Sequence, residues 1–327
     1  MSKLIKNRSE ILFIYDVTDA NPNGDPVDEN KPRIDEETGV NIVTDVRLKR
    51  TIRDYLINFK DKRDEIFVKE IIKDDGTQMS RDERIELEDI KKLEDKEKLM
   101  RKYIDLRLFG ATIGLKGKKS NKEDEEKKQK GTSITWTGPV QFKYGRSLHK
   151  VTLTFIKGTT VIPSKEGLAQ GTFTERYILP YSLIAFYGIV NENAAQQQGI
   201  ELTEEDILLM LEGIWNGTKN LISGSKFGQM PRLLMQVIYK EGSNFYIGEL
   251  DKRISIHSTK NSDEEIRSIS DLKVNITDLI KALDAHKDKV EKIRLKVDER
   301  LLFVKDEKDI TIREALSSLL PVEDLVF

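Results

Sequence analysis

Residues 21–59, NPNGDPVDENKPRIDEETGVNIVTDVRLKRTIRDYLINF, join a polar, turn-rich loop directly to a helix. At about 100° per residue, Leu48, Ile52, Tyr55, Leu56 and Phe59 fall in one stripe, the spacing of a helix that packs on a core. Arg47, Lys49, Arg50 and Arg53 spread over the rest of the circumference. Thr44 stands where its hydroxyl caps the first turn, and Asp45 suits the positive end of the helix dipole. The apolar run from Ile11 to Thr18 reads as a strand, so the chain opens strand, polar loop, basic helix. The plain alternative is that the four cations mark only a solvated face.

Further along, strand patterns cover Ile134 to Tyr144, Val151 to Ile156 and Tyr177 to Val190. A helix follows from Thr203 to Asn216, with Ile207, Leu208, Leu211 and Ile214 inward. A glycine-punctuated loop, SGSKFGQMPR (223–232), leads to strands over Leu233 to Tyr239 and Phe245 to Leu250. Strand, helix, strands, helix, strand predicts an α+β fold of the ferredoxin-like or RRM-like kind, carrying insertions. Residues 60–105 read as an inserted helical subdomain, in which Leu87, Ile90 and Leu93, with Tyr103 beyond, give only a thin apolar stripe. The tract KGKKSNKEDEEKKQK (116–130) has no apolar side chain to offset the entropy of ordering, and is expected to be mobile. KGTTVIPSKEGLAQGTFTER (157–176) is rich in turn formers and placed like a projecting hairpin. Residues 273–319 suggest charged helices and a strand.

The chain has no Cys, which excludes disulfides, thiolate metal sites and cysteine nucleophiles. The N-terminal MSKLIKNRSEI lacks an apolar core segment, and Tyr177 to Val190 is broken by Pro180 and Ser182 and too short to span a bilayer. A cytoplasmic protein without a membrane partner is expected. Charged residues make up 34% of the sequence while the net charge is only −2, so a nucleic-acid binder of this composition must gather its cations locally.

Several chemistries fail on spacing. GATIGLKGKKS, from Gly110, has Thr112 where a phosphate loop needs glycine. GSKFG puts Lys226 where a nucleophile elbow needs serine. His149, His257 and His286 are far apart and form no ligand pair. Asp16, Asp19, Asp25 and Asp35 are candidates for a divalent metal, but beside Gly, Pro and Asn they also read as turn formers. Phosphate binding remains: Arg47, Lys49, Arg50 and Arg53 offer charge, as do Lys143 and Arg146. Ser223, Gly224, Ser225, Lys226, Gly228 and Gln229 offer N–H groups, hydroxyls and a cation, though such a loop also serves as a simple helix-to-strand connection. The RRM aromatic signature is missing, so base stacking on the sheet is not expected and binding should read backbone and shape.

Asn21-Pro22-Asn23-Gly24-Asp25-Pro26 behind a strand, then Thr44-Asp45-Val46-x-Leu48-Lys49-Arg50-x-Ile52-Arg53, then Gly138-Pro139-Val140-Gln141-Phe142 and Gly145-Arg146-Ser147, occur in fixed order. In that combination residues 9–256 closely resemble the Cas7 family, the backbone subunit of type I CRISPR Cascade complexes, most of all its type I-B branch. The resemblance implies an RRM-like palm (1–59 and 134–256), inserted helical fingers (60–110) and a thumb hairpin (157–176); composition alone adds a mobile charged loop (111–133) and a C-terminal helical extension (257–327). It implies RNA contacts from the basic helix and glycine loop, and adds Asn21, Asn23, Ser147 and Arg232 to that set. Thumb contacts are implied for Thr160, Val161, Ile162 and Phe173. The implied function is a non-catalytic scaffold that polymerises along CRISPR RNA and presents it to target DNA, with further copies of itself and other Cascade subunits as partners and no cofactor or metal. The related type III backbone class supplies the alternative, a metal-dependent endoribonuclease working through the loop aspartates. A protein-only assembly factor built on charged helices is a third reading.

Overall fold

The computed structural model describes residues 3–115, 133–159 and 173–327. Two compact units divide the chain: a larger one from Asn7–Ile52, Phe142–Ile189 and Leu211–Phe327, and a smaller one from Met1–Lys6, Arg53–Gln141 and Val190–Met210.

The larger unit is organised by β1 (Ser9–Ala20), whose Ile11, Leu12, Phe13 and Ile14 are all buried. An unbroken apolar run of this kind suits a strand covered on both faces. Its companions are β2 (Val40–Val43), β3 (Gly145–Lys150), β4 (Thr154–Thr159), β5 (Phe173–Val190), β6 (Gln229–Tyr239), β7 (Val290–Val297) and β8 (Val322–Asp324). The sheet order is β8-β7-β6-β1-β5-β3-β2, and β4 pairs with the first part of β5. Strands β1 and β6 run antiparallel from Ser9↔Ile238 to Val17↔Gln229, with an irregularity after Ile14. The strands that alternate with α1 (Asp45–Phe59) and α6 (Glu204–Lys219) are therefore neighbours in the order β6-β1-β5-β3. On α1, Leu48, Ile52, Tyr55 and Leu56 are buried as the spacing requires, but Phe59 is 55% exposed and stacks on Tyr55 at 5.3 Å.

The C-terminal region departs from the expected helical extension. It contains only two helices longer than a single turn, α7 (Thr277–Ala285) and α8 (Ile312–Ser317), while β7 and β8 extend the main sheet. A second sheet joins Ser255–Ser258, Leu272–Asn275, Phe303–Lys305 and Lys308–Ile310. Leu279, Leu283, Ile293, Leu295, Phe303 and Leu316 share one core with Leu12, Leu233 and Met235. The charged residues that suggested solvated helices alternate along strands: β7 reads VEKIRLKV, with Val290, Ile293 and Leu295 buried. Phe245 to Leu250 is likewise not a strand. The N–H groups of Ile247 and Gly248 go to the buried carboxylate of Glu10, at 2.9 and 2.8 Å, rather than to a ladder. Tyr187 and Tyr239 donate their hydroxyls to the same carboxylate.

The smaller unit holds α2 (Arg81–Leu87), α3 (Asp95–Lys102), α4 (Ile104–Phe109) and α5 (Glu192–Gln197). Of the expected stripe, Ile90 and Tyr103 are buried while Leu87 and Leu93 are exposed; Ile85, Leu99 and Met100 complete the buried set on the two short helices. A capping box between Ser80 and Glu83 starts α2. Gly110–Gly114 and Ser133–Thr137 form an antiparallel pair that belongs to this unit, so the strand signal beginning at 134 opens here and not in the main sheet. The Trp136 indole donates to the Leu106 carbonyl at 3.2 Å. Gly138 allows a close backbone approach, because a Cβ there would lie 2.2 Å from the Phe109 carbonyl carbon. Arg53 joins the Asp105 carboxylate at 2.8 Å, and Phe67 and Val68 donate their N–H groups to that same carboxylate. The expected mobile segment falls mostly at 116–132, outside the described residues, as do Thr160, Val161 and Ile162 of the expected thumb. Phe173 opens β5 opposite Thr159. Among the described residues no helix is long and apolar enough to cross a membrane.

Candidate nucleic-acid interface

Two loops at the ends of β1 and β6 meet. The Asn21 N–H donates to the Ser225 carbonyl at 2.7 Å, the Lys226 ammonium donates to the Asn21 carbonyl at 3.0 Å, and the Thr18 N–H donates to the Gly228 carbonyl at 3.2 Å. Gly228 has φ +96° and a Cβ there would lie 2.7 Å from the Thr18 oxygen, so only glycine fits this approach. Asn21 itself is buried and donates its side-chain N–H to Asn30. Asn23 fastens the polar loop to α1: its Oδ1 accepts from the Thr44 N–H at 2.9 Å and the Thr44 hydroxyl at 2.8 Å.

Within the glycine loop the Ser223 carbonyl takes the N–H groups of Lys226 and Phe227, both at 3.1 Å. The N–H groups of Ser223, Gly224 and Ser225 have no acceptor among the described residues. Lys226 is part-buried, and burial followed by repulsion from Arg47 pulls its ammonium down to about 8. No carboxylate pairs with it among the described residues. Consecutive spare amides on the turn that carries Lys226, with the Arg47 charge close enough to oppose it, offer an anion both N–H donors and positive charge.

The remaining basic residues separate by surroundings. Arg50 is exposed on α1, while Lys49 is buried and paired with Asp45 at 2.8 Å. Lys143 bonds Glu249 at 3.4 Å and lies 3.7 Å from Asp251; Arg146 bonds Asp35 at 3.1 Å. Three of the expected contacts are taken up internally. Arg53 is held by Asp105 in the smaller unit, and Arg232 is buried between Asp16 at 2.9 Å and Asp298 at 2.5 Å. The Ser147 hydroxyl is also buried, accepting from the Asn41 N–H and donating to the His149 carbonyl. Gln229 is buried too, with its side-chain amide nitrogen unpartnered among the described residues. The Arg53, Arg232 and Ser147 side chains are thus engaged within the fold.

The four aspartates do not converge. Asp16 is buried against Arg232 and Tyr181, and burial raises its pKa. Asp25 lies 3.4 Å from Arg33 and Asp35 is engaged by Arg146, while Asp19 is exposed at φ 49°. Among the described residues no three acidic, His or Cys side chains gather as a metal site. His149 is buried, accepting the Leu183 N–H at 3.1 Å through Nε2 and bonding the Lys150 carbonyl through Nδ1, and burial lowers its pKa.

The sequence reading missed Arg176 and Tyr177. Arg176 donates to the Gly224 carbonyl at 2.6 Å, and the Tyr177 hydroxyl donates to Glu29 at 2.9 Å. Two adjacent residues at the root of the β4–β5 arm thus hold both loops. Nothing local marks them, because their partners lie 48 and 148 residues away.

The family model described as CRISPR-associated protein Cas7 matches residues 7–277. The chain belongs to the Cas7 family. A CRISPR-associated protein Cas7 of Haloferax volcanii is 34% identical over 322 residues, covering 94% of this chain and 91% of the relative. Two solved structures share the fold at 13% identity: a chain of a CRISPR RNA-guided surveillance complex, with TM-score 0.50 over 97% of this chain and 94% of that one, and a chain of such a complex in a pre-nicking state, with TM-score 0.51 over 97% and 96%. Cas7 membership agrees with the order of motifs in the sequence. The family match ends at 277, whereas the core of the larger unit continues to Leu320.

Proposed function

We propose that the protein is a non-catalytic backbone subunit of a type I CRISPR surveillance complex, which holds CRISPR RNA by its phosphates and leaves the bases to pair with target DNA. The glycine-loop site carries this reading: spare N–H groups at Ser223 to Ser225 stand beside Lys226, whose buried charge has no carboxylate partner among the described residues. Such a site reads charge and shape rather than sequence, as a carrier of guides of any sequence requires. The β6-β1-β5-β3 order supports an RRM-like palm, the smaller unit with its short helices supports fingers, and the β4–β5 arm supports a thumb that reaches a neighbouring copy along the RNA.

The test is purification followed by RNA titration. The protein should carry nucleic acid, seen in its absorbance ratio, and should bind single-stranded RNA with an affinity that falls as salt rises. Replacing Arg50 and Lys226 together by Ala should flatten the log–log slope by about 1.4, at about 0.7 per phosphate contact. An unchanged slope would return both residues to the solvated-surface reading. Guide-loaded protein should bind complementary strands and leave them intact with magnesium or manganese, because Asp16, Asp25 and Asp35 are each engaged by arginine. Periodic cleavage abolished by Asp25→Asn would move the protein to the ribonuclease class.

A further inference from the structure

Phe227 is the anomaly of the glycine loop. It is 70% exposed, although the loop around it is pinned at Ser225, Lys226, Gly228 and, through Arg176, Gly224. A large aromatic ring held in water by a well-anchored turn gains nothing for the fold. Its chain neighbours are Lys226 and Gly228, and the turn closes on the Ser223 carbonyl; Ile222, 76% exposed, is the other large, exposed apolar side chain here. Protein partners favour contiguous apolar surface. A ring on the same short turn as a cation and spare amides fits a nucleotide, whose phosphate and base demand those two chemistries close together.

We propose that Phe227 is a base-stacking platform: one base of the bound RNA lies on its ring while the adjoining phosphate occupies the Ser223–Lys226 site. The sheet lacks the RRM aromatics, and here the stacking surface moves from the sheet to the loop. One ring per protomer, repeated along the RNA, fixes the position of one nucleotide per subunit without reading its identity, since every base has a π-face. The proposal rests on the RNA-binding reading, and its test separates the two.

The experiment compares the full-length protein with Phe227→Ala, Phe227→Leu and Phe227→Trp, using single-stranded RNA carrying 2-aminopurine or an abasic site at successive positions. Phe227→Ala should weaken binding at least fivefold, within the range for losing one aromatic–base stack, with the salt slope and thermal transition unchanged. Phe227→Leu should recover little of that loss and Phe227→Trp most of it. Quenching of 2-aminopurine should recur at regular positions in the wild type and vanish in the Ala variant, and an abasic site at a quenched position should cost Phe227→Ala nothing more. If the wild type binds no RNA, the functional reading fails. If the wild type binds RNA and Phe227→Ala binds equally well, only the platform fails. A variant whose sole defect is a change in protein mass without RNA would overturn the platform in favour of a protein contact.

Discussion

Arg53 and Lys226 both looked like phosphate ligands in the sequence, and their surroundings assign them opposite work. Arg53 reaches a carboxylate that is 1% exposed in its side chain, so removing the guanidinium leaves Asp105 with only two backbone donors. Arg53→Ala should lose about 3 kcal/mol in urea unfolding, the scale for breaking a buried pair from one side, while leaving the RNA salt slope unchanged. Lys226 carries the converse prediction. Its ammonium is pulled down to about 8 because burial and Arg47 oppose the charge. A group depressed in the fold stabilises it above its unfolded value of 10.5, and that contribution is lost as pH falls through about 8; at neutral pH the buried charge is a cost that a bound phosphate offsets. RNA binding at pH 8.5 should therefore take up protons, and affinity should fall as pH rises through about 8. Calorimetry in buffers of different ionisation enthalpy would measure the uptake. Lys226→Arg, whose charge does not titrate in this range, should bind without it.

At the scale of elements, β1, α1, α6 and β5 were legible because their signal is local: an unbroken apolar run, helical stripes, and a long, mostly apolar stretch ending at Val190. What escaped were contacts between distant residues. Arg232 reads as one more cation of the loop, yet its partners are Asp16 and Asp298, 216 and 66 residues away. Phe245 to Leu250 has strand composition, and the Glu10 carboxylate claims its amides. The arm root belongs with these. Arg176 and Tyr177 hold the glycine loop and the polar loop, so on the proposed function RNA seated on those loops would fix the direction in which the arm leaves the sheet. Arg176→Ala combined with Tyr177→Phe should leave single-protomer RNA affinity within about threefold, since exposed contacts contribute little. The same variant should give particles of irregular length by electron microscopy. Regular particles would detach the arm's direction from the loops.

For the whole molecule, the sequence resemblance stopped near 256 and the family match stops at 277, yet the larger unit does not end there. Strand β7 pairs with β6 from Leu233↔Val297 to Tyr239↔Val290, so its removal strips a long ladder from a central strand and turns β6 into an edge. The reading of this region as a helical extension failed because alternating charge on a strand with one covered face resembles charge on a helix when only composition is weighed. Ile280, Leu283, Ile293, Leu295, Leu301, Phe303, Ile312 and Leu316 all belong to the core that contains Leu12 and Leu233. Burying one such side chain is worth about 1.5–3 kcal/mol. The eight together match or exceed the roughly 5–15 kcal/mol by which a domain is stable. A chain ended after Ser258 should therefore be insoluble or unfold without a cooperative transition, although it keeps nearly all the family's matched residues, both loops and the arm. A soluble truncated chain that still binds RNA with the full salt slope would show that β7, α7 and α8 are an accessory layer and not part of the fold.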